Sequence, residues 1–576
     1  MTQPKRWQIA PTLTAQANES LVKYPPILRQ VLFNRGHASE AKARAFLQAE
    51  TDFDTDPFQM TGMNEAVERI GHAIEQKESI AVYGDYDVDG VSATALLVQT
   101  LQVLGGNPRP YIPNRMDEGY GLNPKALDFL KTEGVGLVIT VDSGIRSPAE
   151  ALYARSIGLD LIISDHHQPA DGELPYAVAV INPKQTGDHY QEKDLAGVGV
   201  AYKLAQALFS RIERTISNFQ LEDLLDLVAL GTVADLVPLV GENRVLVRKG
   251  LQKIHETKRQ GLFSLAAVSD LALQRTTAIS IGFILGPRLN AAGRLESALA
   301  AYELLTTTDV KQAGELSQRL NNQNHLRQEL TRKIQSEAEA IVQADDPDSP
   351  LLFAVSPEFN SGVVGLAAAR LVETYYRPAV VGQVFEQEGI TRCSCRSIPE
   401  FQITQALDQC KDLLIRHGGH AAAAGFTVSN ENLQELRKRL KSLAEEKLGS
   451  KDLRQTLNAD AVVPLSDLRS DLLSYLDYLQ PTGYGNPEAV FVTRNVRVTH
   501  SRTVGTESKH LKLSVTDGHV TFDAIGFRLG HLQAELPLNV DLMYTFESNE
   551  YNGRTTLQLN LKDVKAAESP DKGIYY

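Results

Sequence analysis

Three apolar runs in the first third of the chain each end in side chains able to bind a metal or carry a proton. Ile80-Ala81-Val82-Tyr83-Gly84 leads into Asp85-Tyr86-Asp87-Val88-Asp89-Gly90. Leu137-Val138-Ile139-Thr140-Val141 leads into Asp142-Ser143-Gly144, and Asp160-Leu161-Ile162-Ile163-Ser164 into Asp165-His166-His167. A fourth acid, Asp235, stands just before Pro238, which stops its segment and places the carboxylate at an exposed end. A carboxylate-rich set with one or two imidazoles suits Mn²⁺ or Mg²⁺ better than structural zinc. Two such ions ~3.5–4 Å apart stabilise both the attacking and the leaving oxygen of an in-line displacement at phosphorus, which points to phosphoester hydrolysis. An unligated His would orient the phosphate or protonate the leaving oxygen.

Each cluster alone has a plainer reading. Asp85-Tyr86-Asp87-Val88-Asp89-Gly90 begins like a calcium loop, but that loop needs a preceding helix and a Glu at its twelfth position, where this chain has an apolar run and Leu96. Asp142-Ser143-Gly144 is ordinary turn and capping chemistry, and Asp165 could cap in the same way. Two histidines directly after an acid at a strand end are harder to place as packing. The joint occurrence, rather than any one cluster, carries the metal reading.

The elements that must position these residues alternate. Helices are predicted over residues 64–76, 92–104, 124–133 and 147–157, with apolar strands between them and a further strand at 177–181. Continuously apolar strands joined by crossover helices indicate a mostly parallel sheet buried on both faces, in which ligands sit at the carboxyl ends of the strands. Helices then follow over about 199–210 and 221–233. An N-terminal extension, 1–50, is expected to pack on this domain, which runs over 51–308.

Residues 309–345 form a proline-free, polar stretch with Leu and Ile at helical spacing, long enough for one helix on the order of 50 Å. Its Asn321-Asn322-Gln323-Asn324 suits a solvent-spanning connector. A smaller α/β domain is expected over 346–450, then short alternating strands over 451–565 that read as a small barrel of OB type, and a loose tail over 566–576. The barrel interleaves Arg494, Arg497, Arg502, Lys509, His510 and Lys512 with Phe491, Phe522 and Phe527, the mixture by which such barrels hold single strands through phosphate attraction and base stacking.

With 576 residues, 43% hydrophobic and 22% charged, the chain reads as a soluble multidomain protein. A net charge of −13 excludes wholesale coating of nucleic acid while leaving room for a local basic groove. The absence of an apolar leader or spanning segment gives the expectation of a cytoplasmic protein without membrane contact. Cys393, Cys395 and Cys410 are read as free thiols.

Taken together, these motifs resemble the DHH phosphoesterase superfamily, whose name is the triplet Asp165-His166-His167. Asp85 to Gly90 looks like its first motif, Asp142 its second and Asp235 its fourth. Arg416-His417-Gly418-Gly419-His420-Ala421-Ala422-Ala423-Ala424-Gly425-Phe426 is similar to the signature of the associated substrate-binding domain. Within the superfamily the order of parts is similar to that of its bacterial single-strand-specific 5′→3′ DNA exonucleases, and Tyr83, where smaller members carry His, favours that branch.

The resemblance implies Asp87, Asp89, Asp142, His166 and Asp235 as ligands of two Mn²⁺ or Mg²⁺ ions, with Asp85, Asp165 and His167 in catalytic or supporting roles. It implies Ser394, Arg396 and His420 as phosphate-binding residues, Arg115 near the 5′ end, and Arg288 and Arg294, flanking an Asn-Ala-Ala-Gly turn, as backbone-phosphate contacts. The implied enzyme is a monomer that degrades single-stranded DNA threaded between its two α/β domains, in repair and recombination. Its implied protein partners are a single-strand-binding protein and a helicase. Alternatives are a phosphodiesterase for short oligonucleotides or cyclic dinucleotides, and a non-catalytic DNA-binding scaffold.

Overall fold

The computed structural model describes residues 5–114, 118, 121–170, 172–212, 219–551 and 554–567. Arg115, the Asn552-Gly553 turn and all but the first two residues of the expected tail lie outside them. Contacts divide the chain into two compact units. One holds Pro287–Ala300 and Glu315–Thr456, the other Trp7–Gly286, Ala301–Gly314 and the residues from Leu457 on.

In the larger unit the first α/β domain begins with helix α1 (Met63–Glu75) and five parallel strands: β1 (Ser79–Tyr83), β2 (Asn107–Tyr111), β3 (Val135–Val141), β4 (Asp160–Ser164) and β5 (Ala179–Ile181). Their order is 2-1-3-4-5, so the crossovers change direction between β1 and β3. A crevice opens at that switch, beyond the carboxyl ends of the strands. Register lines these ends up: Tyr83 pairs with Thr140, Val141 with Ser164 and Ser164 with Ile181. The residues that follow, Asp142, Asp165 and Asn182, therefore leave the sheet along one edge.

Three helices close the domain behind that edge: α2 (Val88–Val103), α3 (Gly197–Arg211) and α4 (Leu225–Ala234). Leu225 through Val233 are all buried, and thirteen of the sixteen residues of α2 are, as expected for helices that are apolar on every side. Helix α2 begins earlier than its sequence suggests, at Val88, so the first acidic motif is half turn and half helix. Asp87 is its N-cap, accepting from the backbone N–H of Asp89 and Gly90, and Asp89 lies in its first turn.

Helix α5 (Gly241–His255) follows, and helix α6 (Gly286–Leu295) contains Asn290-Ala291-Ala292-Gly293, so the expected turn between Arg288 and Arg294 is helical. Helix α7 (Val310–Asp345) is the predicted long connector, one 36-residue helix. Its polar middle is covered on one face, where Asn321, Gln323 and Asn324 are buried, while Asn322 is exposed.

The second α/β domain forms a five-stranded sheet from β6 (Leu352–Ser356), helix α8 (Val364–Tyr375), β7 (Ala379–Phe385), β8 (Ile390–Arg396), β9 (Leu414–His420) and β10 (Ala423–Ser429), in the order 9-10-8-7-6. The Gly- and Ala-rich stretch from Gly418 to Gly425 is a hairpin.

Helix α9 (Ser470–Asp477) leads to the barrel strands β11 (Phe491–Val504), β12 (His510–Thr516), β13 (Thr521–Gly526), β14 (Asn539–Tyr551) and β15 (Arg554–Ala566). Pairing of β14 with β11 closes the barrel. Phe491 and Phe522 fill its interior, which leaves Phe527 as the exposed ring of the three. All three cysteines are buried free thiols.

The N-terminal extension touches the first α/β domain as expected, through Arg244 and Arg248 against Phe46 and Leu47, but its apolar core belongs elsewhere. Leu21, Leu28, Leu32, Phe46 and Leu47 share one core with Val463, Phe491 and Leu513 of the barrel region. Arg244 on α5 ties this body to the catalytic domain. Its buried guanidinium donates to the carbonyls of Phe46 at 3.0 Å, Leu479 at 2.8 Å, Pro481 at 3.2 Å and Tyr478 at 2.9 Å. Methionine would fill similar space but orphan these buried acceptors. Arg244→Met is expected to cost about 1–3 kcal/mol, read as a lower urea midpoint for the larger unit.

Candidate metal centre

Asp165, His166 and His167 occupy the turn after β4, and Asp165 organises it. Its Oδ1 accepts from the backbone N–H of His166 at 2.7 Å and of His167 at 3.1 Å, and pairs with His167 Nδ1 at 2.8 Å. Its Oδ2 accepts from the Ile145 N–H, which fixes the neighbouring loop after β3. Burial opposes the Asp165 charge, but the hydrogen bond and charge of His167 outweigh it and hold the carboxyl below its ordinary value. Burial likewise pulls His167 down, yet Asp165, Asp235 and Asp85 hold its ring above the usual imidazole value. Asp165 thus positions the two loops and favours the protonated form of His167.

His166 is placed differently. Its Nε2 lies 3.1 Å from Asp142 Oδ1, 3.6 Å from Asp235 Oδ2 and 3.9 Å from Asp89 Oδ2. Both of its ring nitrogens and Asp142 Oδ1 are buried without a hydrogen-bond partner. Burial, then the neighbouring His167, lowers its pKa to about 3, so the ring is neutral. Burial, then the charges of Asp235 and Asp87, raises Asp89; burial, then Asp89, Asp87, Asp85 and Asp235, raises Asp142; and burial, then Asp87, pushes Asp235 up to about 7. Buried acids crowded around a neutral imidazole, whose unprotonated nitrogen offers a lone pair, form a site that cations would complete.

Three overlapping groups have donor atoms within 4.8 Å of one another: Asp142, His166 and His167; Asp89, His166 and Asp235; Asp85, Asp87 and Asp142. Sharing of Asp142 and His166 between groups fits a pair of ions. All five expected ligands fall in these groups, together with Asp85 and His167, while Asp165 is in none of them. Asp235 is half-buried rather than exposed. Tyr83 is buried and donates to the Gly121 carbonyl at 2.9 Å.

Sequence reading missed what brings the clusters together. A β-carbon on Gly197 would lie 2.6 Å from Asp142 Cβ, and one on Gly231 would lie 2.6 Å from Asp89 Oδ1. The backbone N–H groups of Gly197 and Val198, at the start of α3, donate to Asp89 at 2.7 and 2.8 Å. Asn182, wholly buried after β5, donates to the His167 carbonyl at 2.9 Å. The glycine doublet Gly197-Val198-Gly199 is the one local signal of this packing.

The phosphate-binding candidates lie in the smaller unit. On the sheet, His420 pairs with Ala423 and Ala423 with Arg396, so Arg396 and His420 stand on one row. A β-carbon on Gly365, in the first turn of α8, would meet Arg396 Nη2 at 3.3 Å and Ser394 Oγ at 3.4 Å. A guanidinium and a hydroxyl at a helix N-terminus suit an anion. Arg288 donates to Asn321 Oδ1 at 3.0 Å, and Arg294 Nη1 lies 3.4 Å from the Gly362 carbonyl.

Models of known families match in the same order as these domains: the DHH family N-terminal domain over residues 79–232, the DHHA1 domain over 348–446 and the RecJ OB domain over 459–563. The single-stranded-DNA-specific exonuclease RecJ of Salmonella typhimurium is 35% identical over 563 residues, covering 94% of this chain and 96% of that protein. The chain belongs to the RecJ family. The RecJ of Bacillus subtilis is 38% identical over 545 residues, 94% of this chain and 68% of that protein. Among solved structures, RecJ from Thermus thermophilus in complex with Mn²⁺ superposes with a TM-score of 0.85 at 28% identity, over 100% of this chain and 82% of that one. A RecJ fold thus carries both clusters.

The acids set a pH dependence for metal loading. A ligand must be ionised, and Asp235, at about 7, binds a proton below that pH, whereas His166, at about 3, takes none above pH 5. Apparent Mn²⁺ affinity is therefore expected to be about 30-fold weaker at pH 5.5 than at pH 8. Thermal shift against Mn²⁺ concentration at the two pH values measures it.

Proposed function

We propose that the chain is an exonuclease that hydrolyses single-stranded DNA from its 5′ end to mononucleotides, using two Mn²⁺ or Mg²⁺ ions. The observation that carries this reading is the set of buried, unpartnered donors, Asp142 Oδ1 and both His166 nitrogens, among converging acids at the sheet's switch point. When bound, the ions supply charge stabilisation at the attacking and leaving oxygens of the phosphodiester.

Asp85, Asp87, Asp89, Asp142, His166 and Asp235 hold the ions. Asp165 orients His167 through Nδ1 and favours its protonated form, and His167 gives a proton at its other nitrogen to the departing oxygen. Ser394, Arg396 and His420 bind a phosphate of the strand, Arg115 meets its 5′ end, and Arg288 and Arg294 contact its backbone. The barrel, with Arg497, Arg502 and Lys512 on its strands, guides the polyanion. A closed barrel and a long connector suit a polymer better than a dinucleotide. The reading extends to a cytoplasmic monomer in DNA repair and recombination, supplied with strands by a helicase and a single-strand-binding protein.

Digestion of 5′- and 3′-labelled single and double strands with Mn²⁺, Mg²⁺ or chelator tests the reading. Immediate release of label as mononucleotide from the 5′-labelled single strand alone, abolished by chelator, is the expected result. Equal turnover of a dinucleotide and a long strand would move the reading to an oligonucleotide phosphodiesterase.

A further inference from the structure

The hydrolytic site accounts for phosphates but assigns no residue to the bases of the strand. One segment beside Asp235 has the features for that task. Residues Ile281–Leu285 form a π-helix leading into α6, an arrangement that is uncommon and concentrated at functional sites. Phe283, at its centre, is 80% exposed, the most exposed large apolar side chain among the described residues.

The segment lies against the end of α4 that carries the metal-centre acid. A β-carbon on Gly282 would lie 3.9 Å from Val233 Cγ1, and one on Gly286 3.7 Å from Ala234 Cβ, and Asp235 is the next residue. Two further exposed apolar side chains belong to the same neighbourhood. Leu236, directly after Asp235, is 68% exposed and held at φ +61°, a costly backbone for a bulky residue. Tyr484 is 64% exposed, and its carbonyl accepts from the Leu239 N–H at 2.8 Å. A solvated ring on a π-helix and a solvated leucine on a left-handed backbone, both beside a metal-centre acid, have no packing purpose.

Nucleobases offer π-faces that stack on such rings whatever their sequence, which suits an enzyme that must accept every nucleotide in turn. We infer that Phe283 is a nucleobase-stacking residue for the strand presented to the metal centre, with Leu236 and Tyr484 bordering the same path. The inference rests on the proposed exonuclease activity and adds to it the residue that holds a base. Phosphate contacts set affinity for any polyanion, whereas this ring would distinguish a strand with bases from one without.

The test uses the full chain and its Phe283→Ala and Phe283→Trp variants, with Mn²⁺ and a single-stranded oligonucleotide. Matched strands each carry one abasic position, stepped through about the first six nucleotides. In the unsubstituted chain one abasic position is expected to raise KM about tenfold, the scale of one base stacked on an aromatic ring. In Phe283→Ala the intact strand should itself show the tenfold higher KM, with no added penalty at that position, and Phe283→Trp should restore both values. Retention of the abasic penalty in Phe283→Ala, or an unchanged KM on the intact strand, overturns the stacking role. Failure of the unsubstituted chain to hydrolyse any strand with Mn²⁺ overturns the exonuclease reading itself, a result distinct from either.

Discussion

Asp142→Asn is expected to lower Mn²⁺-dependent strand hydrolysis by at least about 10³-fold, well beyond the 10–100-fold typical of residues that only orient a ligand. Asp142 contributes to two of the three donor groups, so its loss removes a carboxylate that would serve both. The same change should make the metal-free protein more stable. Asp142 is 2% exposed, its Oδ1 has no hydrogen-bond partner, and burial followed by Asp89, Asp87 and Asp85 raises its pKa. A carboxyl with a raised pKa in the fold binds its proton more tightly folded than unfolded, so it costs stability as pH rises past the ordinary carboxylate range.

Asparagine removes that cost, and it tolerates the left-handed backbone at φ +60° better than most residues. A gain of about 1–3 kcal/mol in metal-free stability at pH 8, shrinking at pH 5, should accompany the lost activity. Urea denaturation in chelator, with turnover on a labelled single strand, reads both. Loss of stability together with activity would mean that Asp142 acts as a structural cap instead.

Gly197→Ala is expected to cost about 10²-fold in turnover without loss of global stability. The new β-carbon would stand 2.6 Å from Asp142 Cβ and 2.7 Å from its Oδ1, so one of the two must move. Gly197 also donates to Asp89 at 2.7 Å, and a shift of α3 would carry that second acid with it. Displacements of the order of 1 Å at reacting groups cost about 10²-fold in rate, while alanine in a helix is otherwise favourable. Gly199→Ala is the control: its β-carbon would meet only the Leu195 side chain, at 3.4 Å, and activity should stay within about threefold. Comparable losses in both variants would point to helix α3 rather than to the acids.

Three of the acidic clusters were legible because buried parallel strands are continuously apolar and end abruptly in turn residues, and Asp235, which follows helix α4, because a proline stops its segment. The parallel sheet and the positions of Asp142 and Asp165 at strand ends follow from that pattern, whereas the strand order does not. The contribution of Gly197 and Gly231 was not legible, since Gly197 crowds Asp142 and Gly231 crowds Asp89, acids far away along the chain. Asn290 to Gly293 look like a turn by composition, yet lie within helix α6. Asn321, Gln323 and Asn324 look solvated, yet are buried, and polarity alone does not reveal which surface will cover a helix. The extension's apolar residues signalled a core, but whether that core was the next domain or the barrel over 400 residues later depended on chain topology.

Anomalous scattering from crystals grown with Mn²⁺ tests most directly whether these residues are the metal centre of the nuclease. The expected result is manganese peaks coordinated by Asp142 and His166, with Asp85, Asp87, Asp89 and Asp235 completing the shells, and their loss in Asp142→Asn. Manganese bound elsewhere, with these donors unligated in a protein that still degrades single strands, would contradict it.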